Sequence, residues 1–474
     1  MGEPAPAARR TIGMVSLGCV KALVDSERIL TDLKAKGYDT APDYASADAV
    51  VVNTCAFLDS ARTESLDAIG EAQASGKPVI VTGCLGAEEG LIRDRFPDVA
   101  AITGAHAYDA VGAAVTRLAP QPLDASAGGS MEPVAAAAVR LTPPHYAYLK
   151  ISEGCDHACS FCIIPQLRGG LVSRPVGEVL AEAERLVAEG VKEILVVSQD
   201  TSAYGKDRRY ASGVWRGREY AGDLEGLCRG LSELSAERGT WVRLHYVYPY
   251  PSVDRIVPLM GEGGVLSYLD IPFQHASPSV LKAMRRPAKQ ARTLERLAAW
   301  RDMRPELVVR STFVVGFPGE TEADFEQLLE WLEAARLDRV GAFAYEDVKG
   351  APANALPGHV PEEVKQARRE RLMQVASRIS RDKLRAHVGR TLPVLVDAVR
   401  PDGTAVARTR GDAPEVDGVV YVQGGSHLKA GEFARVRVTR TDAFDLQAVA
   451  LDRPPTGVAP APRRLHRVIG RRWQ

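Results

Sequence analysis

The chain has 474 residues, room for two or three domains and too many for one small one. Its hydrophobic share of 45% and charged share of 25% are those of a folding globular chain and exclude general disorder. Sixty Lys and Arg balance sixty Asp and Glu, so no whole-molecule field holds the chain on nucleic acid or an anionic membrane, and any basic contact must be local.

Met1 to Arg10 lacks the apolar stretch of a signal peptide, and no run approaches the roughly 20 apolar residues of a membrane span, so the expectation is a cytoplasmic protein without membrane contact. Residues 11–118 alternate short apolar runs with helical patterns: Ile12 to Leu17, a helix near Ser26 to Lys36, Ala49 to Val52, a helix near Ser60 to Ser75, then Val79 to Val81. That rhythm predicts a Rossmann-like α/β domain with a parallel sheet. Residues 119–144, rich in Ala, Pro, Gly and Ser, read as a linker. From 145 to 385 a second alternation offers six strands, Tyr146 to Ile151, Glu193 to Ser198, Trp241 to Tyr246, Tyr268 to Phe273, Val308 to Val315 and Arg339 to Tyr345, separated by helical patterns. Six βα units predict a partial barrel, short of the eight of a closed one. Pro361 opens a long polar helix that bridges two domains, with proline where a helix accepts it. Residues 388–452 hold short β-rich pieces, LPVLVDAV, GVVYVQ and FARVRVTR, and read as a small OB-like β-barrel. The end, 453–474, carries six arginines and no acidic residue and reads as a disordered basic tail. The fold class is α/β.

Seven cysteines, an odd number, argue for reduced thiols rather than a disulfide framework. Cys155, Cys159 and Cys162 in GCDHACSFC follow a strand with C-x3-C-x2-C spacing. Three thiolates on one loop suit an iron–sulfur cube whose fourth iron stays open, and an open iron can chelate S-adenosylmethionine. The competing reading is a structural zinc site, which wants four closed ligands; no second cysteine pair or nearby His completes that set. Cys19, Cys55 and Cys84 stand directly after predicted strands in SLGC, VNTC and VTGC, where the carboxyl ends of a parallel sheet share one edge. They make either a second three-ligand site or three small buried residues. Cys228, in EGLCRGL, has no partner and reads as a core thiol.

The predicted barrel strands end in Ser198-Gln199-Asp200, Tyr246 to Tyr250, Gln274-His275 and Gly316-Phe317-Pro318-Gly319-Glu320, where barrel active sites are built. Gln199 and Gly316 join the cofactor-binding candidates on that ground, and Glu320 is placed either to bond a ribose hydroxyl or to sit in the first turn of the next helix. His275 is a hydrogen-bonded structural histidine or a base. Arg310, inside a strand, needs an anionic partner if buried, and the cofactor carboxylate is one candidate.

The span from Thr11 to about Leu451 resembles the methylthiotransferase branch of the radical S-adenosylmethionine enzymes, in the order of its parts and in its cysteines. The resemblance implies an α/β domain with an auxiliary cluster, a six-unit barrel with the radical cluster, and a carboxyl-terminal TRAM β-barrel. It makes Cys155, Cys159 and Cys162 ligands of a radical 4Fe-4S cluster and Cys19, Cys55 and Cys84 ligands of a second, sulfur-supplying 4Fe-4S cluster. S-adenosylmethionine is then both radical source and methyl donor. An electron donor such as flavodoxin or ferredoxin is implied as well.

Within that branch, TPPHYAYLKISEGCDHACSFCIIP, RGGLVSRP, SQDTSAYG and GDAPEVDG resemble the enzymes that modify an aspartate on the twelfth protein of the small ribosomal subunit, giving β-methylthio-aspartate. The sister enzymes act on a tRNA adenosine with the same chemistry. A charge count separates the two: residues 388–452 carry eight basic against nine acidic side chains, a net of −1, where an RNA-gripping domain should be basic. Asp412, Glu415 and Asp417 would suit docking on a basic ribosomal protein. A rival of another class is a non-catalytic iron–sulfur redox protein, which would leave S-adenosylmethionine uncleaved.

Overall fold

The computed structural model describes residues 9–122, 138–286 and 292–451. Most of the expected linker and the whole arginine-rich tail lie outside these residues. The first unit runs β1 (Thr11–Ser16), α1 (Val20–Ala35), β2 (Asp39–Thr40), β3 (Ala49–Thr54), α2 (Asp59–Ala74), β4 (Val79–Gly83), α3 (Glu89–Arg95), β5 (Ala101–Ile102) and α4 (Tyr108–Leu118). Its strands form one parallel sheet in the order β2-β1-β3-β4-β5. Every residue of β3 and β4 is buried, as expected of strands covered on both faces. Val50, Val52 and Val81 pack toward α2, while Val51 and Ile80 pack toward α1 and α4. The chain reverses direction across the sheet between β1 and β3, and such switch points open a crevice at the carboxyl ends of the strands.

Helix α1 starts at Val20, six residues before the expected start near Ser26. Its first turn presents Val20, Leu23 and Val24 at i, i+3, i+4, but to the second unit rather than to its own sheet.

The second unit runs β6 (Tyr146–Lys150), β7 (Ser152–Glu153), α5 (Ile164–Arg168), β8 (Val172–Ser173), α6 (Val176–Ala188), β9 (Glu193–Val197), β10 (Gly213–Trp215), β11 (Arg218–Tyr220), α7 (Leu224–Arg238), β12 (Trp241–Leu244), β13 (Tyr268–Asp270), α8 (Pro278–Ala283), α9 (Thr293–Met303), β14 (Val308–Val315), α10 (Glu322–Ala335), β15 (Arg339–Ala344) and α11 (Glu362–Arg385). Six parallel strands lie in the order β6-β9-β12-β13-β14-β15, an open sheet with β6 and β15 as its edges. Because side chains alternate along a strand, Leu149, Ile194, Val196, Leu244, Leu269 and Val309 face the helices in the main core. The intervening set, Tyr148, Lys150, Glu193, Arg243, Asp270 and Arg310, is not in that core, and five of the six are charged.

The third unit is a closed barrel, β16 (Thr391–Val399), β17 (Ala405–Thr409), β18 (Val420–Gln423), β19 (Phe433–Thr441) and β20 (Leu446–Ala450), in the order β16-β17-β18-β20-β19. Helix α11 leads into it, with Leu372, Ala376 and Ile379 in the main core and Leu384 in the core of the small barrel. The α/β class with a partial parallel barrel and a small closed β-barrel is the one expected.

The seam between the two barrels is ionic. Glu193 receives Arg243 at 2.8 Å and Arg408 at 2.5 Å, Arg339 pairs with Asp412, and Arg310 lies 3.4 Å from Asp417. Tyr146 and Tyr268 donate to Glu415 (3.0 Å) and Asp417 (2.7 Å). This corrects the expected role of Asp412 and Asp417, whose carboxylates are paired with Arg339 and Arg310 of the same chain, Asp412 being 2% exposed, whereas Glu415 stays exposed. A charge paired inside the molecule does not recruit a second one.

Candidate metal centres and cofactor site

The loop after β7 is shaped by Gly154. Its φ is +66°, and a Cβ there would lie 1.9 Å from the carbonyl oxygen of Gly170, so only glycine fits. The loop then closes on itself, with the Cys155 N–H donating to the Gly169 carbonyl (3.1 Å). Ser160 anchors its far side on α8, through its N–H to the Met284 carbonyl (3.2 Å) and its hydroxyl to that of Ala283 (2.7 Å). Cys155 Sγ accepts from the N–H of His157, and Cys162 Sγ from that of Ile164. Burial pushes both thiols up to about 11, so metal binding is what makes them thiolates at neutral pH. His157, between the first two cysteines, shares Nε2 hydrogen bonds of 2.8 Å with Asp200 and Tyr250 and stacks 4.6 Å from the Tyr248 ring. Arg286 covers the other aromatics, 4.6 Å from the Tyr248 ring and 5.7 Å from that of Phe161.

Cys19, Cys55 and Cys84 follow the adjacent strands β1, β3 and β4. Register brings them together: Ser16 pairs with Asn53 and Thr54 with Gly83, so all three thiols leave one edge of the sheet. Gly18 (φ +90°) lets the β1 turn lie against the next strand; a Cβ on it would stand 2.9 Å from that of Cys55. Gly83 (φ +92°) does the same before Cys84, where a Cβ would meet the Asn53 amide oxygen at 2.3 Å. Ser65 of α2 pins the Cys55 backbone at both its N–H and its carbonyl. Burial raises the Cys55 thiol and takes that of Cys84 up to about 11. Cys19 is exposed at its surface; desolvation by the surrounding crevice raises its thiol, but the charges of Lys21 and Arg168 and two backbone N–H groups outweigh it, and the thiol is lowered. The Cys19 thiolate raises the thiols of Cys55 and Cys84, and that of Cys55 raises Cys84 further, a repulsion that a bound cation relieves.

The two cysteine sites are joined by Arg168, six residues beyond Cys162. Its Nε donates to Cys84 Sγ at 3.3 Å, and its Nη atoms reach Asp25 and Glu153, each at 3.2 Å. Lys150 pairs with the same two carboxylates, and Tyr108 donates to Asp25 at 2.6 Å. Asp25, His106 and Glu153 stand close enough to share a cation, but Lys150 and Arg168 already fill that place with two positive charges. Ile163 and Leu167, from the same segment, pack in the core beneath Cys84. Sequence reading missed Arg168 and Lys150 because their partners lie up to 143 residues away.

Of the cofactor candidates, Gln199 is the one with open valences: both amide atoms are buried without a partner among the described residues. Tyr248 Oη and Arg286 Nε are in the same condition. Buried polar groups seldom stay unpaired without a ligand or water; Gln199 and Tyr248 follow barrel strands β9 and β12, and Arg286, just past α8, covers Phe161 of the cluster loop, so they fit a polar cofactor beside Cys155, Cys159 and Cys162. Arg310 does not: it donates to Asp270 at 2.8 Å and faces Asp417 at the seam, so the expected bond to a cofactor carboxylate gives way to an internal ion pair. Glu320 is fully buried, accepts from the N–H groups of Gly316 (2.8 Å) and Phe317 (3.3 Å) and from Arg368 (2.8 Å), and thus holds its own turn together. Gly316 (φ +73°) is needed because the Lys365 stem fills the space a Cβ would take. His275 Nε2 lies 3.4 Å from Glu320, a structural position.

Three family models match the chain: the radical SAM superfamily over residues 149–332, the TRAM domain over 388–451, and the uncharacterized protein family UPF0004 over 11–104. Proteins named ribosomal protein uS12 methylthiotransferase RimO are similar along nearly the whole length. That of Bordetella petrii is 58% identical over 441 residues, 93% of this chain and 98% of its own. That of Methylococcus capsulatus is 59% identical over 93% of this chain and 99% of its own. The structure of a radical S-adenosylmethionine methyltransferase, TsrM, from Kitasatospora setae has a similar fold, with a TM-score of 0.52, 13% identity and coverage of 73% of this chain and 77% of that one. The chain is an enzyme of the transferase class and belongs to the RimO family of radical S-adenosylmethionine methylthiotransferases.

Proposed function

We propose that this enzyme converts an aspartate of ribosomal protein uS12 to β-methylthio-aspartate, using two 4Fe-4S clusters and S-adenosylmethionine, in the cytoplasm and with a flavodoxin or ferredoxin as electron donor. The observation that carries the reading is the pair of three-cysteine sites tied together by one arginine, Arg168. The substrate reading is supported by the names of relatives that match 93% of this chain; Asp412 and Asp417 no longer contribute to it, being paired at the seam.

A cluster held by three thiolates, once reduced, lets S-adenosylmethionine supply the carbon radical that takes hydrogen from a C–H bond with no acidic proton. Cys155, Cys159 and Cys162 hold that cluster, and Gln199, Tyr248 and Arg286 offer the polar atoms that orient the cofactor. Cys19, Cys55 and Cys84 hold the cluster that supplies sulfur. The apolar first turn of α1 packs on Tyr148, Val197 and Tyr246 at the barrel mouth and brings the Cys19 end of the first unit up to it.

The test is mass spectrometry of small-subunit ribosomal proteins from cells with and without the gene. An aspartate peptide of uS12 is expected to lose the mass of one methylthio group on deletion. An unchanged uS12, with a tRNA adenosine losing that group instead, overturns the substrate reading.

A further inference from the structure

Lys21 stands two residues after Cys19, in the part of α1 that enters the barrel mouth, and is 8% exposed. Its Nζ lies 3.6 Å above the ring of Tyr246. Tyr246 follows β12 in a left-handed conformation (φ +55°), which is strained for a bulky residue and puts its ring in contact with α1. Eight Lys and Arg residues are buried among the described residues, and six of them reach a carboxylate within 4 Å. The two exceptions are Arg286, which donates to the Pro272 carbonyl, and Lys21. Its charge meets the Cys19 thiol and the Tyr246 ring but, among the described residues, no carboxylate, and a cation this deep gains from one that arrives.

We propose that Lys21 binds the side-chain carboxylate of the target aspartate and so selects an acidic residue for the reaction. The inference rests on the uS12 reading above. The carbon that reacts is one bond from that carboxylate, and it must be reached from both cysteine sites. A group serving it therefore has to sit between Cys19 and the barrel mouth, as Lys21 does. Arg168, the other cation nearby, is already saturated by Asp25, Glu153 and Cys84.

The test measures binding of fluorescently labelled uS12, with its target residue as Asp or as Asn, to enzyme carrying both clusters and S-adenosylmethionine. The unaltered enzyme is expected to prefer the Asp form by about tenfold to a hundredfold, the worth of a hydrogen bond to a charged group. In Lys21→Met the Asp form weakens to the level of the Asn form, and binding of the Asn form stays within about twofold. Equal weakening of both forms, or a preserved preference for Asp, overturns the assignment, as does an unaltered enzyme that modifies uS12 without preferring Asp in binding. Iron content and the paramagnetic resonance of both clusters check that the variant is intact, and Lys21→Gln replaces it if the methionine variant loses iron. An unaltered enzyme that leaves uS12 unmodified and acts on a tRNA adenosine is failure of the uS12 reading, visible before any variant is made.

Discussion

The two cysteine sites reach the same three-thiol arrangement by opposite routes. One lies within Cys155 to Cys162, on a loop closed by its own backbone. The other is gathered from residues 19, 55 and 84 and exists only when β1, β3 and β4 pair in register. A local site depends on one turn, a dispersed one on a whole sheet. Both use one device, a left-handed glycine immediately before a cysteine: Gly154 before Cys155, Gly18 before Cys19 and Gly83 before Cys84.

The largest effect should come from removing one thiol of each site. Cys159→Ala is expected to abolish reductive cleavage of S-adenosylmethionine and to leave about half the iron, since the ligands of the second site, Cys19, Cys55 and Cys84, come from the first unit. Cys55→Ala should also leave about half the iron, yet still cleave S-adenosylmethionine to 5′-deoxyadenosine and form no methylthio product. Product analysis and iron assay on both variants check this. Cleavage lost equally in both would mean the two sites do not divide the work.

Arg168 ties the routes together, and its replacement ranks next. In Arg168→Gln, Asp25 and Glu153 keep only Lys150 between them and Cys84 loses its donor. Breaking a buried ion pair from one side costs about 3–5 kcal/mol. A chemical denaturation midpoint lowered by that amount is expected, together with a changed paramagnetic signal from the auxiliary cluster alone. Arg168→Lys should recover part of the stability while leaving the signal altered, because an ammonium cannot serve three partners in one plane.

The difference between the two sites also explains what could be read from the sequence. C-x3-C-x2-C is a spacing, visible without a fold. The second set became visible only after the strand pattern aligned Cys19, Cys55 and Cys84 on one sheet edge. Partners were hidden wherever they came from another unit. Asp412 and Asp417 read as free acids because Arg339 and Arg310 are far away in sequence, and Arg310 read as needing a ligand because Asp270 and Asp417 did not look like its neighbours. Strands β17 and β20, AVART and LQAVA, escaped notice: they are short and alanine-rich, and Arg408 reads as polar although it is buried against Glu193 and Asp397. Lys21 gave a different kind of signal, a charge inside an apolar turn, which acquires meaning once its surroundings are known.

Smaller effects are expected from the glycines. In Gly154→Ala the loop must move to relieve a 1.9 Å contact with backbone, so the radical cluster should fail to assemble while the fold persists. Gly18→Ala meets a side-chain atom at 2.9 Å and adds left-handed strain of about 1–3 kcal/mol. Reduced iron occupancy at the auxiliary site, with cleavage of S-adenosylmethionine retained, is the expected result by iron assay and product analysis. If Gly18→Ala instead abolished cleavage, the dispersed site would have to be part of the radical machinery.

The smallest effect belongs to the seventh cysteine. Cys228 is fully buried in α7 among the residues of the main core, and burial pushes its thiol far above the ordinary cysteine range. No glycine with a left-handed backbone precedes it, and no second thiol neighbours it on the helix. Cys228→Ala removes one sulfur from a packed interior, which costs about 1 kcal/mol through lost contacts. Iron content and product formation should match those of the unaltered enzyme, with only the denaturation midpoint slightly lowered. A change in iron content would mean that burial and isolation do not suffice to separate a core thiol from a ligand, and the distinction drawn between the two sites and this residue would fall with it.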